Sequence, residues 1–151
     1  MSAGYLLDTN VVSELTKSRV EPNVLAWIAA QTIGSMKLSV ISLGEMEKGF
    51  TTMSDLQRRA RLELWMERQL LELFLGQVLS ITPSIAKLWG VFDGKRRMAG
   101  RPLSVPDGMI AATAFEHGLT LVTRNVKDFE GLGITVLNPW YAQPSGQSPN
   151  K

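Results

Sequence analysis

The sequence has no cysteine and only one histidine among its 151 residues. Without cysteine, disulfides, thiolate-ligated zinc, iron–sulfur clusters and thiol nucleophiles are all excluded. With a single histidine, sites that need two or more imidazoles, including His-pair phosphodiester chemistry, lack the necessary residues. Any metal must therefore be held mainly by oxygen, which suits Mg²⁺ or Mn²⁺.

Long hydrophobic runs and a strong net charge are lacking as well. The apolar run before Asp8 is short and has no basic flank, so it predicts neither a signal peptide nor a membrane span. We therefore expect a cytoplasmic protein with no membrane partner. The net charge of +2 permits a nucleic-acid partner but does not argue for one by itself.

The remaining composition, 44% hydrophobic and 20% charged, is that of one ordinary globular domain. Short apolar strands are predicted at residues 5–7, 37–40, 78–81, 119–123 and 134–137. Helices are predicted between them, near residues 10–15, 21–30, 42–50, 55–74, 83–98, 107–117 and 126–130. This alternation favours an α/β sandwich around a parallel sheet. The tail, residues 142–151, has no apolar anchor and is predicted to be disordered.

Three carboxylates stand where a strand ends or a helix begins. Asp8 directly follows the first strand, at the sheet edge where α/β proteins bind ligands; an N-cap of the next helix is an equally good interpretation. Glu45 lies in Ser42-Leu43-Gly44-Glu45, which taken alone favours a capping box. Asp107 begins a strongly helical segment, where an acid complements the helix dipole.

Taken together, the three acids point to a metal. The predicted architecture allows Asp8, Glu45 and Asp107 to converge on one edge of the sheet. Carboxylates that lie within a few ångströms of each other repel, so such a cluster is expected to recruit a divalent cation.

Four ordered segments resemble PIN-domain nucleases, and within them the VapC-type toxins of bacterial toxin–antitoxin pairs. They are residues 6–14 (LLDTNVVSE), 42–49 (SLGEMEKG), 106–114 (PDGMIAATA) and 121–129 (LVTRNVKDF). The closing LNPW of residues 137–140 is similar to the FitB-like branch. The resemblance covers essentially the whole chain except the tail.

This resemblance implies a three-layer α/β/α sandwich in a single PIN-like nuclease domain, residues 1–141, with Asp8, Glu45 and Asp107 as the metal-binding acids. It also implies a cognate antitoxin, a homodimer, and contact with operator DNA only through the antitoxin complex. The sequence departs from the family at Asn125, where an Asp is common. Asp128, one helical turn further on, is the candidate to replace that fourth acid.

The chemistry that follows is hydrolysis of RNA phosphodiester bonds by a metal-activated water. Asp8 and Asp107 are the expected direct ligands, and Glu45 would bind through water or orient the attacking hydroxide. Residues expected to position water or substrate are Thr9, Thr123, Arg124 and Asn125.

The role of the basic residues and the alternative functions remain open. Lys95, Arg96, Arg97 and Arg101 form the densest basic cluster, which either meets RNA or, more often for such short runs, forms a solvated loop. As an alternative function, the chain acts mainly as a binding partner of an antitoxin on operator DNA, with weak or no nuclease activity. A metal-dependent phosphatase or DNase using the same acids is a third possibility.

Overall fold

The computed structural model describes residues 4–143, so the predicted tail lies outside the described residues from position 144 onward. The chain order is β1 (Tyr5–Leu7), α1 (Thr9–Glu14), α2 (Pro22–Ala29), β2 (Met36–Ser39), α3 (Val40–Thr51), α4 (Leu56–Trp65), α5 (Leu71–Leu73), β3 (Val78–Leu79), α6 (Pro83–Met98), α7 (Val105–His117), β4 (Thr120–Val122) and β5 (Val136–Leu137). A π-helical segment, Met66–Leu70, joins α4 to α5, and short 3₁₀ turns cover Ile33–Ser35 and Val126–Phe129. None of the helices within residues 4–143 has the length and apolar character needed to cross a bilayer.

The five strands form one sheet in the order β3-β2-β1-β4-β5, and every pairing is parallel. β1 lies at the centre, with Leu6 opposite Leu121 and Leu7 opposite Val122 in β4. Because all strands run the same way, the residues that follow β1 and β4 emerge at the same edge of the sheet.

Two hydrophobic cores cover the two faces of the sheet. Leu7 and Leu38 belong to a core that also holds residues of α1 to α5, including Val11 and Phe50. Leu6 belongs to a second core with residues of α6 and α7. Since adjacent β1 residues point to opposite faces, helices pack on both sides, which confirms the predicted α/β/α sandwich.

The predicted helix at residues 55–74 is correct in extent. Of the apolar stripe that its sequence indicates (Ala60, Leu64, Leu71 and Phe74), Phe74 is buried and Leu71 packs against the core, but the other two residues are not buried. Leu64 is 47% exposed and Ala60 is exposed, whereas the buried residues are Leu62, Met66, Leu70 and Phe74. These four residues are spaced four positions apart. In a regular α-helix, with 3.6 residues per turn, side chains at that spacing would move gradually around the helix. The wider π turn at Met66–Leu70 keeps them on one face.

The start of α3 also differs from the prediction. The helix begins at Val40, two residues before Ser42, and its cap is Ser39, whose Oγ accepts a hydrogen bond from the Ile41 N–H at 3.0 Å. The proposed capping box of Ser42 and Glu45 is therefore wrong. Both side chains are free to face α1 instead.

Candidate active site

Asp8 lies at the carboxyl end of β1 and is only 4% exposed. Its Oδ1 accepts a hydrogen bond from the Thr9 N–H at 2.7 Å, so it does cap α1. Its Oδ2 accepts from the Thr123 hydroxyl at 2.7 Å and from the Asn10 side-chain amide at 3.3 Å. The cap and the functional interpretation are compatible, because one carboxylate serves both.

The burial of Asp8 has an electrostatic consequence. It raises the pKa of this carboxyl from 3.8 to about 6, against the lowering effect of the hydrogen bonds from Thr123 and Thr9. The negative charges of Asp107 and Glu45 raise it further. Such a shift is typical of functional carboxylates, and here it shows that three acids far apart in sequence influence one another.

Glu45 is held by a hydroxyl of α1. The Thr9 hydroxyl donates to Glu45 Oε1 at 2.6 Å and lies 2.9 Å from the Ser42 hydroxyl. Ser42 is fully buried, whereas Glu45 is partly exposed. This contact joins α1 to α3 and fixes the Glu45 carboxylate beside the residue that follows Asp8. The predicted role of Thr9 near the site thus has a geometric basis, and Ser42 is a neighbour that sequence reasoning missed.

Asp107 lies in the first turn of α7, which Ser104 caps by accepting a hydrogen bond from the Asp107 N–H at 3.2 Å. The predicted capping role of Asp107 thus belongs to Ser104. Burial is the main cause that raises the pKa of the Asp107 carboxyl; Ser104 opposes it, and the charges of Glu45 and Asp128 add to it. Asp107 is therefore linked electrostatically to the other acids.

The neighbour of Asp107, Gly108, makes room for an indole ring. A Cβ atom placed on Gly108 would lie 2.5 Å from Cδ1 of Trp89 in α6. The absence of a side chain at Gly108 therefore allows α7 to pack closely on α6. This contact fixes the start of α7, and hence Asp107, relative to α6.

The segment that follows β4 also contributes to the site. The Thr123 hydroxyl that binds Asp8 also accepts hydrogen bonds from the Asn10 side chain and from the Asn125 N–H, both at 3.1 Å. The exposed Asn125 begins the 3₁₀ turn that carries Asp128. Thus the predicted site residues of this segment lie at the same edge of the sheet as Asp8, and Asp128 contributes charge near Asp107.

The donor set is suited to an oxygen-preferring cation, although it is not closed around one. Within residues 4–143, no group of three or more His, Cys, Asp or Glu side chains is arranged so that it could hold a metal ion. Glu45 is turned towards Thr9. The set thus fits an ion bound directly by Asp8 and Asp107, with Glu45 acting through water, better than a ready cage of three carboxylates.

One predicted basic residue has a structural role. Arg96 is 9% exposed, and its guanidinium donates to the backbone carbonyls of Asp128 at 2.9 Å and Glu130 at 2.8 Å. It cannot belong to an RNA-binding cluster with Lys95, Arg97 and Arg101, which are exposed. No local sequence signal distinguishes Arg96 from its neighbours, because its two shortest hydrogen bonds go to residues more than 30 positions away.

Comparison with known proteins agrees with the resemblance seen in the sequence. Residues 5–133 match the PIN domain family. The chain is 36% identical to the VapC ribonuclease Y4jK of Sinorhizobium fredii, over 89% of this chain and 96% of that protein. It is 31% identical to toxin FitB of Neisseria gonorrhoeae, over 90% and 98% of the two chains.

Two solved structures are similar to the whole fold. The crystal structure of FitAcB from Neisseria gonorrhoeae superposes with a TM-score of 0.85 at 31% identity, covering 91% of this chain and 99% of the other. A toxin–antitoxin complex from Klebsiella pneumoniae gives a TM-score of 0.68 at 27% identity, covering 93% and 100%.

Proposed function

Since the chain belongs to the PIN domain family, we propose that it is the toxin of a toxin–antitoxin pair, a metal-dependent endoribonuclease. The family assignment and the names of its relatives, a VapC ribonuclease and toxin FitB, support this activity. The observation that carries the assignment of the site is the buried Asp8, whose pKa is raised to about 6 by burial and by neighbouring Asp107 and Glu45.

Asp8 and Asp107 would hold one Mg²⁺ or Mn²⁺ ion, with Glu45 reaching it through water. The ion would supply an activated water and neutralise charge on the phosphate. The protein keeps these acids in place: Thr123 fixes Asp8, and Thr9 fixes Glu45. No side-chain nucleophile is needed, which agrees with the absence of cysteine.

Asp128 is proposed as a fourth acid of the site. Its charge contributes to the raised pKa of Asp107, and its backbone carbonyl is anchored by Arg96. Asn125 has no charge to offer a second ion. We therefore expect Asp128→Asn to weaken activity less than Asp107→Asn does.

The proposed partners are an RNA substrate, a cognate antitoxin and a second copy of this chain, with operator DNA bound only through the antitoxin complex. The similarity to a toxin–antitoxin complex supports the antitoxin. Large apolar side chains on α4 and beyond, Leu56, Leu64, Leu73 and Leu75, are exposed and could be covered by a partner. Trp27 on α2 is only 5% exposed and belongs to the core, so it is not part of such a surface. The domain boundary at 141 and a cytoplasmic location stay predictions.

The test is cleavage of single-stranded RNA by the purified chain in Mg²⁺ or Mn²⁺, with and without EDTA. We expect cleavage to require the metal and to fall at least about 100-fold, a loss of roughly 3 kcal/mol of transition-state stabilisation, in Asp8→Asn and Asp107→Asn. Glu47→Gln is the matched control, because Glu47 is exposed two residues from Glu45. Undiminished cleavage in both folded Asn variants would reject the site.

The same assay separates the other candidates. Preferred hydrolysis of DNA or of a small phosphoester in competition with RNA would indicate a DNase or phosphatase. A chain that binds an antitoxin on operator DNA but cleaves nothing would be a binding partner only.

A further inference from the structure

A polar groove of about 450 Å³ opens beside the proposed active site. It begins one residue after Thr123, the residue that binds Asp8, and is lined by Glu21, Arg124, Asn125, Asn138, Trp140 and Tyr141. This volume lies within the range of about 300–1,000 Å³ that is usual for small-molecule sites. The groove is therefore large enough for one nucleotide.

Arg124 is fixed in this groove from three sides. Its N–H donates to the Asn10 side chain at 3.2 Å, and its carbonyl accepts from the Asn138 side chain at 3.4 Å. Its guanidinium lies over the Trp140 ring, 5.2 Å from the ring centre. This cation–π contact uses the face of the Trp140 ring, so the N–H groups of the guanidinium stay available to an anion.

The charge of Arg124 is only partly balanced. It contributes to the lowered pKa of Glu14, but the main cause of that shift is the hydrogen bond from Lys17, which pairs with Glu14 at 2.8 Å. Among the contacts of residues 4–143, no hydrogen bond or ion pair is recorded for the Arg124 guanidinium itself. A phosphate is the anion that such a rigid, exposed fork suits.

The same groove also offers an aromatic ring and an amide. Tyr141 is 72% exposed, although large aromatic side chains are usually covered. Its backbone is held near the site, because its carbonyl accepts from the Gln143 side chain at 3.0 Å and the preceding Trp140 N–H donates to Asn138 at 2.9 Å. Asn125 is also exposed, and its side-chain amide offers a donor and an acceptor.

We propose that this groove is a subsite for one unpaired RNA nucleotide next to the cleaved bond. Arg124 binds the phosphate, Tyr141 stacks on the base, and Asn125 hydrogen-bonds to the base edge. Stacking on aromatic rings with hydrogen bonds to base edges is how proteins recognise unpaired RNA. The inference rests on the proposed function and deepens it, because this subsite would favour single-stranded RNA and some bases over others.

The test measures equilibrium binding of short fluorescent single-stranded RNAs, without cleavage, to the full chain carrying Asp107→Asn in EDTA. In that background Tyr141→Leu should weaken binding roughly 5- to 100-fold, the usual effect of losing one stacked base, whereas Tyr141→Phe should retain it. Both changes affect an exposed side chain, so the comparison does not depend on stability.

Arg124→Ala should lower the slope of log affinity against log salt by about 0.7, the value for one phosphate contact on a single strand. Arg61→Ala is the matched control, because Arg61 is exposed on α4 and does not line the groove. Asn125→Ala should change the relative affinities for the four homopolymers more than the average affinity.

Equal RNA affinity of the Tyr141→Leu, Tyr141→Phe and parent proteins would overturn the inference, while leaving metal-dependent cleavage and the proposed function intact. Unchanged RNA binding combined with loss of a co-expressed antitoxin would show a protein-docking groove and would also overturn it. If the parent binds RNA through Tyr141 but the wild-type chain cleaves none, the subsite stands and the nuclease assignment fails.

Discussion

At the scale of single residues, the site depends on one buried charge. Asp8 can stay near the sheet because the Thr9 N–H, the Thr123 hydroxyl and the Asn10 amide donate to it. The hydrogen bonds from Thr123 and Thr9 lower the pKa of Asp8 but do not cancel the effect of burial and of neighbouring acids. Without a cation, the folded state therefore carries an electrostatic cost at neutral pH.

The electrostatic cost of ionising the buried Asp8 predicts an unusual pH dependence of the free energy of unfolding. The pKa of Asp8 is about 6 in the folded chain against 3.8 as the ordinary value, so the folded state holds this proton more tightly. Protonation of Asp8 therefore stabilises the folded state below pH 4. This stabilisation, about 3 kcal/mol in total, is lost as the pH rises to 6. Asp8→Asn removes that loss. Relative to wild type, the variant should gain up to about 3 kcal/mol between pH 4 and pH 7.5.

Urea unfolding in EDTA at several pH values checks this prediction. The difference between the two proteins is informative even if the Asn side chain fits the Thr123 contact less well, since that penalty does not change with pH. Glu47→Gln is the control for a surface acid. A difference that stays constant across this range would show that Asp8 is not the perturbed group.

Some residues of the site could be predicted from the sequence, and others could not. The sequence singles out Asp8, Glu45 and Asp107 because each is predicted at a strand end or a helix start, although α3 begins at Val40 and Glu45 lies in its second turn. The positions of Ser42, which contacts Thr9, and of the buried Arg96, which holds the Asp128 turn, are set by tertiary contacts across 30 or more residues. Local patterns contain no information on those contacts. The Ser42–Glu45 capping box failed for the same reason, since Thr9 of another helix competes for both side chains.

At the scale of elements, the helices were predictable wherever capping and periodicity agreed. Gly118, directly after the predicted helix at residues 107–117, ends α7 in the left-handed conformation that glycine favours, with φ of 63°. The buried side of the helix at residues 55–74 was predicted only in part, because a π turn changes which residues face the core. No residue type predicts such a turn. β3 and β5 have two residues each, fewer than predicted, because strand ends are set by pairing.

The packing of α6 on α7 yields a testable prediction. Gly108→Ala should destabilise the chain by about 1–3 kcal/mol, the usual cost of overpacking, because the new Cβ would meet Trp89. In Gly94→Ala, the matched control, nothing lies within 4 Å of the added methyl group. That variant should instead gain up to about 1 kcal/mol from helix propensity. Chemical denaturation of both variants, and of Gly108→Ala with Trp89→Leu, decides between these outcomes; equal effects of the two glycine changes would refute the close contact.

The anchoring of the Asp128 turn yields a second prediction. Arg96→Ala leaves the carbonyls of Asp128 and Glu130 without their donor and should cost about 2–4 kcal/mol, as loss of a buried charged partner does. Arg97→Ala removes an ion pair with Asp93 in which the arginine side chain is 64% exposed, and it should cost only about 1 kcal/mol. Thermal unfolding of the two variants measures the difference. A similar small loss in both would mean that Arg96 does not hold the turn.

At the scale of the whole molecule, the parallel sheet explains how distant segments form one site. β1 and β4 are neighbours, so Asp8 and Thr123 emerge side by side, and α3 and α7 bring Glu45 and Asp107 to the same edge. The alternation of strands and helices in the sequence was enough to predict this arrangement in outline. It could not predict that Glu45 would turn to Thr9, because the two residues lie in different helices, 36 positions apart in the sequence.

The central claim is that Asp8 and Asp107 hold a divalent cation. Titration of the chain with Mn²⁺, monitored by the EPR signal of the free ion at pH 6.5, tests it most directly. The account predicts one saturable site in the wild-type chain, accompanied by partial proton release from Asp8, and loss of that site in Asp8→Asn and in Asp107→Asn. Binding of Mn²⁺ with equal affinity to all three proteins would contradict it.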